Sequence, residues 1–294
     1  MVESNSSVES RGAIYMSKTV VMIVPVLIVG FMALTGCGTT TKHLSSTGAK
    51  ESTVSVYELR ASSNERFSPI IKNAMKHVTK TKMVLLAPTL PDYSPHETRE
   101  NWYMGAFVQS SANNYLIGLQ WTYRQLPINS PALSNPYYTN TGDAGIIGSF
   151  GGTQYPSTKA ALTQLYRQQR GMASAYLSPP AKSKGATVDL GNGIQGLAYS
   201  SSFNPMVIWH QAKWTLEVTD TALPYDIQEA KKLVTYLHTH KLPPTKGVFG
   251  VNIAGDGDHT LAEWALGKVV YSCFDDHSGL EAAKMVVSMR VCRS

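Results

Sequence analysis

Apolar residues along this chain follow three rhythms. From Val20 to Leu34 they run almost unbroken. Around residue 70 they take helical spacing: Phe67, Ile70, Ile71, Ala74, Met75 and Val78 share one face, which predicts a helix from about Phe67 to Thr79. Ser68 is placed to cap it, and Pro69 stands where a first-turn proline belongs. The third rhythm is strand-like, over Lys82 to Leu86, Trp102 to Gln109 and Tyr115 to Tyr123, with Asn113-Asn114 as a turn between the last two. Pro127 to Gly142 is rich in Pro, Asn, Ser and Thr and reads as a long loop. Ile146 to Phe150 suits a buried strand and Ser157 to Arg170 a helix, with Ala161, Leu162, Leu165 and Tyr166 on one face.

After a loop from Ser178 to Gly185 the pattern repeats itself. One unit, 193–237, runs from Gly193-Ile194-Gln195-Gly196 through Trp209 and Lys213-Trp214-Thr215-Leu216 to Glu229–Val234. A second, 247–289, runs from Gly247-Val248-Phe249-Gly250 through Trp264 and Lys268-Val269-Val270-Tyr271 to Glu281–Val286. Each reads as three strands and a helix. An extra strand, Ala186 to Leu190, precedes the first unit through Asn192-Gly193, a favoured hairpin turn. The expected fold is α+β: an antiparallel sheet with helices packed on one face, its C-terminal half a duplicated β-meander-plus-helix. An N-terminal half at 56–178 and a C-terminal half at 186–294 follow from the loop between them.

The first apolar run changes the picture of where this domain works. Lys18 precedes it, and Leu34-Thr35-Gly36-Cys37 closes it. A basic start, an apolar middle and small residues at the end form an export signal. The run is about 15 residues, short of the roughly 20 that span a bilayer as a helix, so cleavage is favoured over an uncleaved anchor. Leu-Thr-Gly-Cys resembles the lipobox of bacterial lipoproteins. That resemblance implies that residues 1–36 are removed and that Cys37 is lipidated and becomes the new N-terminus. It implies attachment to a cell membrane on its extracytoplasmic face, with no bearing on the domain beyond. Met16-Ser17-Lys18 would be an ordinary beginning for such a signal, so 1–15 reads as a misassigned start. Residues 37–55 are Ser/Thr-rich and without period, a flexible tether.

Composition adds less. The chain is 43% hydrophobic and 16% charged, which suits a folded domain and excludes a disordered chain. The net charge of +6 is modest, and no run of five or more lysines occurs, so a basic surface near an anionic membrane or wall polymer is favoured over a nucleic-acid groove. With Cys37 assigned to lipid, Cys273 and Cys292 are an even pair in an oxidising location, where a disulfide is expected.

No motif fixes a reaction. Gly255-Asp256-Gly257-Asp258-His259 has the residues of a hairpin turn and too few oxygen ligands for a calcium loop. His238 and His240 sit two apart near a helix end, where they do not share a face. Trp209 and Trp264 occupy matching repeat positions, which points to the core rather than to an exposed aromatic platform. Tyr137 and Tyr138, in a Pro/Asn-rich loop, are the candidate exposed ligand-binding aromatics. Gly-x-Ser-x-Gly, His-Glu-x-x-His and phosphate-binding loops are missing, so no catalytic residue, metal or cofactor is assigned. The function expected is ligand binding or sensing at the cell envelope, with the membrane and an unidentified envelope ligand or protein as partners. A structural envelope protein and an extracytoplasmic hydrolase remain the alternatives.

Overall fold

Alternation of apolar and polar positions builds one wide sheet, and the helical stretches cover it. The computed structural model describes residues 66–89, 103–134, 147–172, 184–200, 205–219, 222–254 and 257–292. In chain order the elements are α1 (Pro69–Lys76), β1 (Leu86–Pro88), β2 (Tyr103–Ser110), β3 (Asn114–Thr122), β4 (Gly148–Gln154), α2 (Thr158–Met172), β5 (Ala186–Gly191) and β6 (Ile194–Tyr199). Then follow β7 (Met206–Gln211), β8 (Trp214–Thr219), α3 (Leu223–Thr239), β9 (Gly247–Ala254), β10 (Gly257–Leu266), β11 (Val269–Asp275), α4 (Gly279–Val287) and β12 (Met289–Val291). The class is α+β. α1 begins as the sequence predicts, with Pro69 in its first turn and the Ser68 hydroxyl accepting from the Ile71 N–H at 3.4 Å.

The main sheet has 10 strands in the order β2-β3-β4-β11-β10-β9-β8-β7-β6-β5. Every neighbouring pair is antiparallel except β8 and β9, which are parallel. The exception follows from counting. β6–β7–β8 and β9–β10–β11 are each three-strand meanders, so the strand leaving the first and the strand opening the second run the same way once α3 crosses over between them. β4 pairs with β11, so strands on either side of residues 178–185 share this sheet.

One register row crosses the sheet from edge to edge, and the outermost pair, β5–β6, shifts register between Asp189 and Gly191. Val108, Ile117, Phe150, Cys273, Ala262, Phe249, Leu216, Trp209, Gly196 and Val188 form one row of facing partners. This face receives α1, α3 and α4 and forms the main core. The helix α2 lies on the opposite face, across β9, β10 and β11, where Ala161 and Leu165 pack on Val248, Ala265 and Val270. Helices therefore cover both faces. α3 and α4 share one, as expected, but α2 does not join them, because Val248, Ala265 and Val270 alternate with core residues and leave a second apolar patch behind the sheet.

An aromatic row lies beside the first. Tyr115, Gly152, Tyr271, Trp264, Gly247 and Trp214 are successive register partners. Trp264 lies 6.0 Å from Trp214 and 5.7 Å from Tyr271 between ring centroids. The two glycines make room: a Cβ on Gly247 would come within 2.5 Å of the Trp214 ring, and one on Gly152 within 2.9 Å of Tyr271. The polar tips of the row hold the layer above. Tyr115 Oη donates to Leu86 O at 2.7 Å and accepts from Leu86 N–H at 3.0 Å, Tyr271 Oη donates to Val84 O at 2.7 Å, and Trp214 Nε1 donates to Pro243 O at 2.9 Å. Residues 84–88 are thus pinned to the sheet, and β1 in turn pairs with β12.

The two meander-plus-helix runs share element order, and Trp209 and Trp264 lie in corresponding middle strands, 1% and 0% exposed. Their facing glycines are Gly196 and Gly247. Gly196, not Gly193, is therefore the counterpart of Gly247, and the sequence match of the two first strands is out of register by an odd number of residues. The helices also differ, at 17 and 9 residues. The shared order does not by itself establish a duplication.

The turn between the second and third strands supports the local likeness. Ala212 has φ 55° and Gly267 has φ 60°. Glycine adopts this left-handed conformation freely, whereas alanine is strained in it by about 1 kcal/mol. Ala212→Gly is therefore expected to stabilise the protein by up to about 1 kcal/mol and Gly267→Ala to destabilise it by a similar amount. Thermal unfolding of both variants checks this, and a stability loss in Ala212→Gly contradicts it.

Candidate functional site

Tryptophans as a binding platform can be set aside at three positions, since Trp209, Trp214 and Trp264 are core residues. Cys37, Tyr137, Tyr138 and Asp256 lie outside the described residues. Asp258 and His259 follow Gly257 at the start of β10, half-buried, and His259 Nδ1 contacts the Asp276 carboxylate. Among the described residues no cluster of three or more His, Cys, Asp or Glu could hold a metal ion. The expected Cys273–Cys292 bridge is not formed in this structure: both are free, buried thiols. Burial pushes both pKa values up, with Asp275 adding to the effect at Cys273 and Lys72 opposing it at Cys292. Both lie near enough to Tyr115 to help raise its hydroxyl pKa, after burial and Tyr271.

A hollow of about 420 Å³ lies against α2, lined by Tyr155, Lys159 and Gln164 among others, and two more flank α1. One, of about 640 Å³, lies between α1 and the start of β2, lined by Ile70, Asn73, Tyr103, Met104, Gln125 and Ile128 among others. Its walls come from three segments. The amphipathic α1 turns Ile71, Ala74 and Met75 into the core and leaves Pro69 and Asn73 facing outward. Edge strand β2 brings Tyr103, which is 40% exposed. The segment 125–128 is held against β2 by Asn129, whose N–H donates to Ala106 O at 3.1 Å and whose Oδ1 accepts from Val108 N–H at 2.6 Å. Asn129 adopts φ 59°, a conformation asparagine tolerates better than most residues, and it caps the middle of an otherwise open sheet edge. A second hollow, of about 420 Å³, lies against α1 with Phe67, Lys72, Met75, Lys76 and Cys292 in its wall. Apolar floors with a few amides, an exposed tyrosine and cations on one rim suit an apolar or aromatic ligand with a polar or anionic end.

Two buried acids behind the sheet escaped the sequence reading. Glu217 and Glu263 are 1% and 5% exposed and stand on the face that carries α2, opposite Gly250 and Val248. Among the described residues neither Glu217 carboxyl oxygen has a hydrogen-bond partner. Burial, then the Asp226 carboxylate, raises the Glu217 pKa to about 9, and burial raises that of Glu263 to about 7. Tyr155 is also raised, by burial and then by Glu263. The period-two pattern Trp214–Leu216–Val218 against Thr215–Glu217–Thr219 places Glu217 on the face opposite the main core. That pattern signals solvent, and nothing in the sequence announces burial there. Uncharged carboxyls of this kind can give or take a hydrogen bond, and Ser272 on β11 is the residue that faces Glu263.

Comparison with known proteins finds no matching family model and no matching curated protein. Among solved structures, one from Bacteroides thetaiotaomicron aligns over 66% of this chain and 43% of its own, at 8% identity and a TM-score of 0.19. This chain thus spans less than half of that structure. The extracellular domain of PknH from Mycobacterium tuberculosis aligns over 78% of this chain and 92% of its own, at 9% identity and a TM-score of 0.22. Both values lie far below those of chains that share a fold, and neither likeness assigns this chain a function.

The buried acids have a consequence for stability. In the unfolded chain their pKa returns to the ordinary 4.5, so above that pH the folded state binds more protons than the unfolded state. Stability therefore declines as pH rises, through about 7 for Glu263 and about 9 for Glu217. Glu217→Gln is expected to remove much of that slope, gaining on the order of a few kcal/mol near pH 9 and little near pH 5. Urea unfolding at the two pH values checks it; an unchanged slope contradicts it.

Proposed function

We propose that this chain is a membrane-anchored lipoprotein whose extracytoplasmic domain binds a ligand or partner of the cell envelope. The observation that carries the anchor is Leu34-Thr35-Gly36-Cys37 at the end of a short apolar run behind Lys18. Support for binding comes from the hollow of about 640 Å³ beside α1, whose lining combines Ile70, Met104 and Ile128 with the amides of Asn73 and Gln125 and the exposed Tyr103. No helix among the described residues is long and apolar enough to cross a membrane.

The anchor is tested at Cys37. Cys37→Ser is expected to stop signal processing and lipid attachment and to move the protein out of the membrane fraction. Unchanged mass and unchanged membrane attachment contradict it. The ligand site is open to a direct search, in which envelope extract is passed over the mature chain and over its Tyr103→Ala variant. A ligand captured by the first and lost from the second belongs to the hollow.

The same location bears on the thiols. Cys273 and Cys292 are both buried in the same core, and in an oxidising compartment we expect them to pair. Mass mapping without reductant, on protein purified from its native envelope, should find one linked peptide. Two freely alkylated thiols in that material contradict the pairing.

A further inference from the structure

Arg66, Lys72, Lys76, Lys80 and Lys82 stand in one short stretch, and no acidic residue occurs from Arg66 through Thr89. Elsewhere in the chain basic and acidic residues almost cancel, so this stretch carries nearly all of the net +6. All five side chains are exposed, and none forms an ion pair with a described residue. Lys72 and Lys76 are one turn apart on α1 and share the rim of the 420 Å³ hollow with Phe67. Lys80 and Lys82 follow on a segment that is fixed in place: Thr79 N–H donates to Ser110 Oγ at 2.9 Å, and Thr81 Oγ1 donates to Ala112 O at 2.6 Å. The charge is therefore built onto the surface beside α1 and the β2–β3 hairpin.

We propose that this cationic surface docks the domain onto the anionic headgroups of the membrane that holds Cys37. The inference rests on the lipoprotein reading, and position in the chain supports it. This stretch opens the described part of the domain, on the side of the chain that leads back to Cys37. A Ser/Thr-rich tether of the length of 38–55 has an r.m.s. reach of about 20 to 25 Å. The field of an anionic surface decays over about 8 Å at physiological salt. Tethering alone thus leaves the domain mostly outside that field, while raising its concentration near the surface enough for a modest cationic face to hold it there. Lysines at an anionic leaflet each strengthen binding roughly fivefold, and a half-buried phenylalanine among them adds apolar contact.

The test separates docking from anchoring by removing the anchor. The mature chain from residue 37, carrying Cys37→Ser, is sedimented with vesicles of phosphatidylcholine alone and of phosphatidylcholine mixed with phosphatidylglycerol. Binding is expected to the mixed vesicles only and to vanish near 1 M salt, where the screening length falls to about 3 Å. Lys72→Gln, Lys76→Gln and Lys80→Gln together should weaken it on the order of a hundredfold. The charge-matched set Lys184→Gln, Lys231→Gln and Lys268→Gln, also at exposed lysines, should leave it nearly unchanged. Thermal unfolding of both triple variants confirms that they fold. Equal binding to neutral vesicles, or equal loss in the two triple variants, overturns the proposal. So does binding to soluble polyphosphate with none to vesicles, which would make the partner an anionic polymer. Failure of lipidation at Cys37, measured separately, overturns the anchor and leaves these vesicle results standing.

Discussion

Four aromatic rings in one register row hold this domain together. Tyr115, Tyr271, Trp264 and Trp214 span β3, β11, β10 and β8, with Gly152 and Gly247 supplying the gaps their rings fill. Each ring buries a large apolar area, and three of them also end in a hydrogen bond to backbone above the sheet. The row therefore does two things at once. It closes the core across the join between the two meanders, and it positions residues 84–88 and the chain after α3. α1 leads directly into that pinned segment, so the hollows beside it and the cations that follow it take their positions from the aromatic row.

The parallel β8–β9 pair is the place where this arrangement is most exposed to failure. Two three-strand meanders joined by a helix could stand as separate small domains. Here the register puts Trp214 directly against Gly247, and any side chain at 247 would collide with the indole. Closure at the chain ends works in the same direction. β1, early in the described chain, pairs with β12 near its end, and Cys292 N–H continues the contact to Leu85 O at 2.9 Å. Residues 51–294 accordingly form a single compact unit.

Much of this was legible in the residues. The helical spacing of Ile71, Ala74 and Met75, the Ser68–Pro69 start and the Asn192-Gly193 turn each state a local geometry that nothing distant overrides; Asn192 and Gly193 have φ 53° and 76°, as such a turn requires. The core position of Trp209 and Trp264 followed from their repetition at matching places. Long-range pairing was not legible. Nothing local tells β4 to lie beside β11, because any half-apolar strand satisfies the same alternation. The glycine match failed for a related reason: Gly193 lies in the turn before β6 while Gly247 opens β9, and only the tryptophan opposite shows that Gly196 is the counterpart of Gly247. Glu217 and Glu263 were invisible because a charged residue on the polar phase of a strand looks solvated until something covers that face. Glu263 stands on the face where α2 packs, and that packing patch is built from Val248, Ala265 and Val270, which no single strand displays on its own.

Native-state hydrogen exchange tests most directly whether the aromatic row makes the two meanders one structure. The account predicts that the amides of β8, β9, β10 and β11 exchange only through global unfolding, with one common free energy and one common denaturant dependence. If β5 to β8 open as a group at clearly lower free energy than β9 to β11, the row does not couple the two meanders, and the central claim fails.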